Sequence, residues 1–449
     1  MDTKVSPHPT IKYPNVSNSS AENARLDDFL NEHRNEGRQD SEGVFTMDAK
    51  KAERKLAAFQ LPTSESWLLV LVQAAHRGGA REIKVTQSSR QTRVVISGAQ
   101  QWTWAGLEDV FQGKSTTDDA LLAVAVVVRA LRGSEELTSF RVKAPDGTSA
   151  TWRNDAYKIE RGRIEDVLWE NDAVFEVNHL GEFPEKKSYF LENRRCARKQ
   201  LVALHQALNR NCFASSVPLI IDGYSVPGFH LGDTLPPFHH RLPLALLPFE
   251  DYRVPSIPMT AAMKSAQAVM LKNKDGLDPK NPLGALACLT LTFERPQSIL
   301  GSGPPRLAET LCPSRLVWIQ DGVVVGSHSL EIPGSLELIL ILSGAGLKTD
   351  LTGLELVKSK ELQQRKTMIS ESFGQTLLEL SKTLQDKLKK GEGDIFGLTR
   401  LSRGEPENSV LSAFASFWRK KDLRALSDQK EKLLHDLERL PERFVAASN

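Results

Sequence analysis

The sequence lacks the features that mark several large classes of protein. Its net charge is only +2, so no global basic field would attract nucleic acid or an anionic membrane. The four cysteines are widely spaced and form no C-x-x-C pair, which argues against a zinc site or a redox dithiol. This cysteine usage favours free thiols in a reducing compartment.

Long apolar runs are also missing. The longest, from Ala120 to Val128, is shorter than the roughly 20 residues that span a bilayer. The first residues show neither the basic region nor the apolar region of a signal peptide. We therefore expect a cytoplasmic protein with no membrane association.

The length of 449 residues predicts two or three domains, at roughly 100–200 residues each. Residues 1–43 are rich in Ser, Asn, Pro, Glu and Arg, and such a composition buries too little surface to offset the entropy of ordering. We predict a disordered tail there. After it we expect an α/β domain at 44–157, a second α/β domain at 158–355 with a proline-rich insertion at 227–258, and a helical arm at 356–449.

The first domain is organised around a helix from Ser64 to Ala75, which is apolar on nearly all sides and is therefore expected to be buried. Strands at Glu82–Gln87 and Thr92–Ser97 follow, and then a helix containing L-E-D-V-F and another at Asp118–Leu131. Helices and strands that alternate in this way predict an α-β sandwich, with helices on one face of a mixed sheet.

The second domain is predicted to begin with a strand–helix–strand crossover unit, formed by Asp172–Val177, Lys187–Asn209 and a strand from Val217. Further strands are expected later in the chain, at Leu286–Glu294, Leu316–Val325 and Leu336–Leu342.

Two C-terminal helices, at Ser359–Lys390 and Val410–Leu440, carry leucines three and four residues apart. Such stripes pack on each other or on the body of the same chain. Homodimerisation through these helices is the alternative use.

Three phrases carry a resemblance to a known superfamily: F-Q-L-P at Phe59–Pro62, L-V-Q-A-A at Leu71–Ala75 and L-E-D-V-F at Leu107–Phe111. With the order of elements, they resemble the Bergerat-type ATP-binding domain of gyrase B subunits, MutL proteins, histidine kinases and the ninety-kilodalton heat-shock chaperones. Bacterial chaperone-like members look most similar. The resemblance implies a Bergerat-type domain followed by a transducer-like second domain, with ATP and magnesium as the family's cofactors.

In that family the first helix carries a Glu that activates water and an Asn that binds magnesium, and the Asp of a later D-x-G turn binds adenine. The resemblance puts Val70 at the Glu, Ala74 at the Asn, Arg77 at a helix Asp and Ser97 at the adenine-binding Asp, with Gly98 retained. Val70 cannot accept a proton, and Ala74 offers no oxygen to a hard cation. Ser97 retains only a neutral hydrogen-bonding group.

The glycine-rich phosphate lid of the family is also missing, because residues 113–131 contain no G-x-G. The resemblance therefore implies a degenerate nucleotide site. We expect no bound cofactor, loss of ATPase activity, and a chaperone-like binding or scaffolding module that engages a protein partner.

A second, shorter match is G-L-K-T-D-L-T-G from Gly346. It is similar to the Q-T-K-x-K-L-G loop of gyrase-type second domains, whose lysine reaches the terminal phosphate. The resemblance makes Lys348 a candidate phosphate-sensing residue. A solvated loop lysine without a task is the alternative.

Two other functions remain open at this point. An active ATPase would need substitute residues, such as Glu82 or Glu108 as the base and Asp109 as the magnesium ligand. A DNA-associated protein of gyrase-B-like or MutL-like architecture would use the basic residues of the long helix. The near-neutral net charge makes DNA the less favoured partner. Those basic residues are Arg194, Arg195, Arg198 and Lys199.

The only His-dense stretch, F-H-L-G-D-T-L-P-P-F-H-H-R, contains His230, Asp233, His239 and His240. These side chains suit zinc, but no two of them have the i, i+4 spacing of a helical site. We interpret the stretch as a polar loop without metal.

Overall fold

A computed structural model of the chain describes residues 61–63, 65–88, 91–112, 114, 116–133, 139–143, 148–153, 156–161, 172–178, 189–231, 239–248, 257–260, 284–294, 297–298, 301–302, 306–308, 313–390 and 411–448. The predicted disordered tail and most of the F-Q-L-P phrase lie outside these residues. All described residues belong to one compact unit, Glu53–Asn449.

The helices of the described residues are α1 Ser66–Arg77, α2 Trp104–Phe111, α3 Asp119–Gly133, α4 Tyr189–Asn211, α5 Lys360–Lys390 and α6 Leu411–Ser448. The strands are β1 Glu82–Gln87, β2 Gln91–Ser97, β3 Ser139–Lys143, β4 Thr148–Arg153, β5 Ala156–Arg161, β6 Ala173–Asn178, β7 Leu219–Ile221, β8 Tyr224–Ser225, β9 His239–Pro248, β10 Gly284–Glu294, β11 Gln297–Ser298, β12 Gly301–Ser302, β13 Arg306–Leu307, β14 Ser314–Gln320, β15 Val323–Leu330 and β16 Leu336–Ser343.

The first sheet has eight strands in the order β5-β4-β3-β6-β2-β1-β7-β8. It is mixed, since β1 pairs in parallel with β7 and antiparallel with β2. Side chains alternate along β1, so Ile83 and Val85 are buried while Lys84 and Thr86 are exposed. The buried side chains form one core with those of α1, α3 and α4. The predicted combination of helices with a mixed sheet is confirmed, and the Bergerat-type fold stays a prediction.

The crossover unit lies elsewhere than predicted. Both of its strands pair within the first sheet: β6 beside β2, with Phe175 opposite Val94, and β7 beside β1, with Leu219 opposite Ile83. Phe175 and Ile221 extend the core under α1. The local pattern indicated a parallel unit correctly, but it could not indicate which sheet the unit would complete.

The second sheet has the order β13-β10-β16-β14-β15, with β9 paired to β10. Strand β9 falls in the proline-rich insertion, where the sequence predicted no regular element. Its Pro243 lies next to a register shift, because Leu289 pairs with Ala245 and Thr290 pairs with Pro243. A bulge tolerates a residue without an N–H, so this proline does not prevent the strand.

The predicted strand Leu316–Val325 is in fact two strands, β14 and β15, which form a hairpin. Asp321 and Gly322 make its turn, with φ of 49° and 75°. Two consecutive positive φ values are those of a tight hairpin turn that matches the twist of the strands.

Helices α5 and α6 pack together and on the second sheet. Phe373 of α5 meets Phe444 of α6 edge-on, with ring centroids 5.3 Å apart. Most of the described leucines of the predicted stripes lie in one core with Trp318 and Leu340 of the sheet. The buried members are Leu377, Leu380, Leu384, Leu433, Leu437 and Leu440. These apolar stripes are therefore used within the chain, and homodimerisation stays a prediction.

Gly334, before β16, is held close to the carboxylate of Asp436 on α6. Its φ is +126°, and a Cβ built on it would lie 3.0 Å from Asp436 Oδ2. The same carboxylate oxygen accepts hydrogen bonds from Ser335 Oγ, at 3.0 Å, and from Ser335 N, at 3.3 Å.

We expect Gly334→Ala to lower the free energy of unfolding by roughly 2–3 kcal/mol, because it adds backbone strain and crowds Asp436. Gly79→Ala is the matched control: its φ is also positive, at +74°, but a Cβ there meets nothing within 4 Å. Urea denaturation of both variants compares them. Equal losses would mean that the contact with Asp436 contributes nothing.

Candidate functional site

Helix α1 is the centre of the predicted site, and its C-terminal end is sharply defined. Gly79 N donates to His76 O and Ala80 N donates to Ala75 O, while Gly79 has a φ of +74°. This is the Schellman arrangement, in which a left-handed residue satisfies the last carbonyl groups. It fixes the direction in which the last turn of α1 presents its side chains.

Two of the predicted pocket residues, Val70 and Ala74, are buried in the first core at 1% and 0% exposure. Ile96 of β2 belongs to the same core. Ser97 is part of strand β2, so its side chain lies on the opposite face to that of Ile96. The structure therefore brings Val70 and Ala74 together with Ile96 rather than with Ser97.

Gly98 follows β2 with a φ of +74°, and the side chain of Arg81 covers it. A Cβ built on Gly98 would lie 2.9 Å from Arg81 Cγ. The backbone N–H of Arg81 also donates to Ser97 O over 2.7 Å. The chain turns at Gly98, and a side chain of the same domain packs against this turn.

Trp102 fills the space beside the end of α1. Its ring lies against Gly78, where a Cβ would come within 2.5 Å of Trp102 Nε1. The ring also meets Phe175 of β6 edge-on, with centroids 6.1 Å apart. Both aromatic residues are core residues, so this region is packed with apolar side chains.

The loop that carries Lys348 reaches α1 through another residue. Gly353 O accepts a hydrogen bond of 3.0 Å from the buried Gln73 Nε2. Lys348 is exposed, and its charge acts on Glu361 at the start of α5. Hydrogen bonds from the backbone of Glu361 and from Ser359, together with Lys348, lower the pKa of that carboxyl.

The turn of this loop is built around Asp350. The carboxylate of Asp350 accepts hydrogen bonds from Thr352 Oγ1, Leu354 N and Glu355 N. Leu354 inserts into the first core. This loop is therefore a fixed contact between α1 and the segment that follows the second sheet.

Arg77 does not enter the predicted pocket. Its Nε forms a 2.7 Å ion pair with Asp321 Oδ2 at the turn of the β14–β15 hairpin. Beside it, His76 Nε2 lies 2.8 Å from Ser215 Oγ. Gly322 packs against the His76 ring so closely that a Cβ would collide with it. We call these contacts the α1 joint, which comprises Gln73, His76, Arg77, Ser215, Asp321, Gly322 and Gly353.

The protonation state of His76 follows from these partners. Burial lowers the pKa of His76 to about 4, although the nearby charge of Asp321 acts to raise it. Ser215 Oγ donates its only proton to Val217 O over 2.6 Å. Ser215 Oγ must therefore accept the proton of His76 Nε2, so the neutral imidazole has its proton on Nε2.

Ser215, His76 and Asp321 contain the residue types of a catalytic triad, but the geometry is different. The serine proton goes to a backbone carbonyl. His76 Nδ1 faces Ser216 Oγ at 3.5 Å, and Asp321 binds Arg77. The serine is thus not activated as a nucleophile. The group connects three segments of the chain.

The acids that an alternative ATPase would recruit already have local partners. Glu82 pairs with Lys84 at 2.5 Å, and Asp109 pairs with Lys114 at 2.7 Å. Glu108 accepts a hydrogen bond from Gln112 over 2.9 Å. None of these contacts places a carboxylate beside Ala74.

The remaining candidates give no further site. His239 and His240 lie in β9, whereas Asp233 is outside the described residues. Searching the described part of the chain finds no group of three or more ligands for a metal ion. Arg198 and Lys199 are exposed on α4, and the side chains of Arg194 and Arg195 are outside the description. No helix in the described ranges has the length and apolar character to cross a membrane.

Sequence reasoning missed the α1 joint, although one signal was available. The D-G pair at 321–322 is typical of a tight hairpin turn. Nothing local indicated that this turn would meet Arg77, which is 244 residues away in the sequence.

Neither a protein-family model nor a curated protein matches the chain.

Proposed function

We propose that this protein is a chaperone-like, Bergerat-type module whose nucleotide site is degenerate and which acts by binding or scaffolding a protein partner. The observation that carries the proposal is the burial of the working positions of α1. Val70 and Ala74, in the places of the base and the magnesium ligand, lie in a closed apolar core. Such a domain can still bind a partner protein, but it lacks the groups that ATP hydrolysis requires.

The D-x-G spacing adds a second argument. Two residues before Gly98 stands Ile96, which faces α1 and is fully buried. If the family's adenine-binding Asp corresponds to Ile96 rather than to Ser97, an apolar side chain replaces it. Either assignment removes the charged acceptor for the adenine amino group.

The α1 joint is a third argument. In the family, the second domain reports the nucleotide state through a lysine. Here α1 is connected to the β14–β15 hairpin by the Arg77–Asp321 ion pair, and to the loop after the second sheet by the Gln73–Gly353 hydrogen bond. These contacts need no phosphate group.

We expect calorimetric titration with ATP and with ADP, each with magnesium, to give no binding heat. We also expect phosphate release at the background rate, because the described core offers neither a base nor a magnesium ligand beside α1. Magnesium-dependent hydrolysis that Ala74→Leu abolishes would refute the proposal. Leu122→Ala, at a partly exposed position of α3, is the control for a nonspecific effect.

A further inference from the structure

The His76 side chain lies where three segments of the chain meet. It ends α1, touches Ser215 after α4, and supports Gly322 at the turn of the β14–β15 hairpin. Its Nε2–H donates to Ser215 Oγ, because the proton of Ser215 Oγ goes to Val217 O, so a second proton on the ring would have to sit on Nδ1. We infer that His76 is a pH-sensitive latch, whose protonation releases the β14–β15 hairpin turn from the end of α1.

The charged and polar groups around the ring determine the effect of a second proton. On its own helix, His76 is followed by the cation of Arg77. From the hairpin, Asp321 faces it, but Asp321 Oδ2 is already paired with Arg77 Nε at 2.7 Å. From the segment after α4, Ser216 Oγ lies 3.5 Å from Nδ1. A proton on Nδ1 would therefore lack a close acceptor, and the charge would remain largely buried.

Exposing the ring to water is the simplest way to accommodate that charge. Gly322 stands against Nε2 and the adjacent carbon of this half-buried ring, so movement of the hairpin turn would expose that side of it to water. The Arg77–Asp321 pair then opens as well, because Asp321 is the neighbour of Gly322. The movement is local: β14 stays paired with β16, and Trp318 and Leu340 remain in the second core.

The size of the response follows from the two states of the latch. Burial holds the pKa of His76 at about 4 in the closed state, and in the open state a solvated ring returns to about 6.5. The stability that the neutral ring gives to the closed latch is therefore fully present above about pH 6.5 and is lost as the pH falls towards 4. The open fraction should rise on the order of 30-fold between about pH 7.5 and about pH 5.

Hydrogen exchange of the full-length protein, corrected for intrinsic rates, tests the latch. We expect faster exchange at low pH in residues 213–217 and 319–325, on either side of the ring. Residues 369–384, in the helix α5 that packs on the second sheet, should not change. His76→Gln keeps an amide donor for Ser215 and cannot be protonated, so this variant should lose the pH dependence.

His205→Gln is the matched control, because His205 is exposed on α4, where its Nδ1 lies 2.8 Å from Asn209 Nδ2 and away from the joint. It should respond to pH as the wild type does. The inference is overturned if His76→Gln retains the response, if the two joint segments show none in the wild type, or if residues 369–384 lose protection together with them. The last result would indicate global acid unfolding.

A further readout does not depend on the folding of His76→Gln. In wild-type protein with labelled histidine rings, the resonance that Ser215→Ala shifts should titrate with a midpoint of about 4. A midpoint near 6.5 for that resonance would exclude the latch. The inference is independent of the proposed function, since neither the presence nor the absence of nucleotide binding alters these outcomes.

Discussion

Val70→Glu, which introduces the acidic residue that the Bergerat family has at the position we propose for Val70, is expected to unfold the first domain rather than to create an ATPase. Val70 is 1% exposed, on the buried side of α1. Glutamate is larger than valine, and a carboxylate at this depth has neither water nor a described partner. The combined cost of overpacking and desolvation is at least about 4 kcal/mol. Small domains have total stabilities of roughly 5–15 kcal/mol.

Chemical denaturation and phosphate release measure the two consequences of Val70→Glu. The control is Leu122→Glu, which introduces the same side chain on α3 at a position that is 39% exposed. We expect that variant to stay within about 1 kcal/mol of the wild type. A folded Val70→Glu protein that hydrolyses ATP would show that the core opens to admit nucleotide, contrary to the degenerate site that we propose.

The comparison of α1 with the joint shows what the sequence can predict. The burial of α1 was predictable because its residues are apolar on all sides, and strand β1 has the bounds that its alternation predicts. Both are local sequence patterns, and such patterns determine where helices and strands form. The Arg77–Asp321 pair connects two elements that are far apart in sequence, so neither residue carries a local signal of the other.

The wrong expectations have physical reasons of the same kind. Strand β9 was missed because proline disfavours strands, whereas here a bulge at Pro243 relieves the restriction. The crossover unit was assigned to the second domain because periodicity identifies a strand but not its neighbour. For the site, the residue types are the basis for proposing that the family's catalytic groups are missing, and this stays a prediction. Only the fold shows that Trp102 and Phe175 pack beside the end of α1.

Removing one partner of the Arg241–Glu337 ion pair is expected to cause a large loss of stability. The pair connects β9 to β16, with Arg241 Nε 3.2 Å from Glu337 Oε2 and side-chain exposures of 8% and 1%. Thr290 Oγ1 also donates to Glu337 Oε2, at 3.3 Å. Burial raises the pKa of Glu337, while the charges of Arg241 and Arg315 act to lower it.

Glu337→Ala leaves the guanidinium of Arg241 buried without this carboxylate. We expect it to lower the free energy of unfolding by about 3–5 kcal/mol, as measured by denaturant unfolding. Glu337→Gln keeps oxygen and nitrogen atoms near Arg241 and Thr290, and its loss should be clearly smaller. Asp109→Ala breaks a pair whose side chains are 59% and 47% exposed, and it should cost no more than about 1 kcal/mol.

The double variant Arg241→Met/Glu337→Met decides whether the pair stabilises the second sheet or only avoids an isolated charge. Desolvation of both ions opposes their attraction, and Glu337 Oε1 has no hydrogen-bond partner within the described structure. Because the two methionines can pack as an apolar pair, the double variant is expected to lose less stability than Glu337→Ala alone. The single variants Arg241→Met and Glu337→Met complete the comparison. If the stability lost by the double variant equals the sum of their two losses, the side chains act independently, and the ion pair does not hold β9 to the sheet.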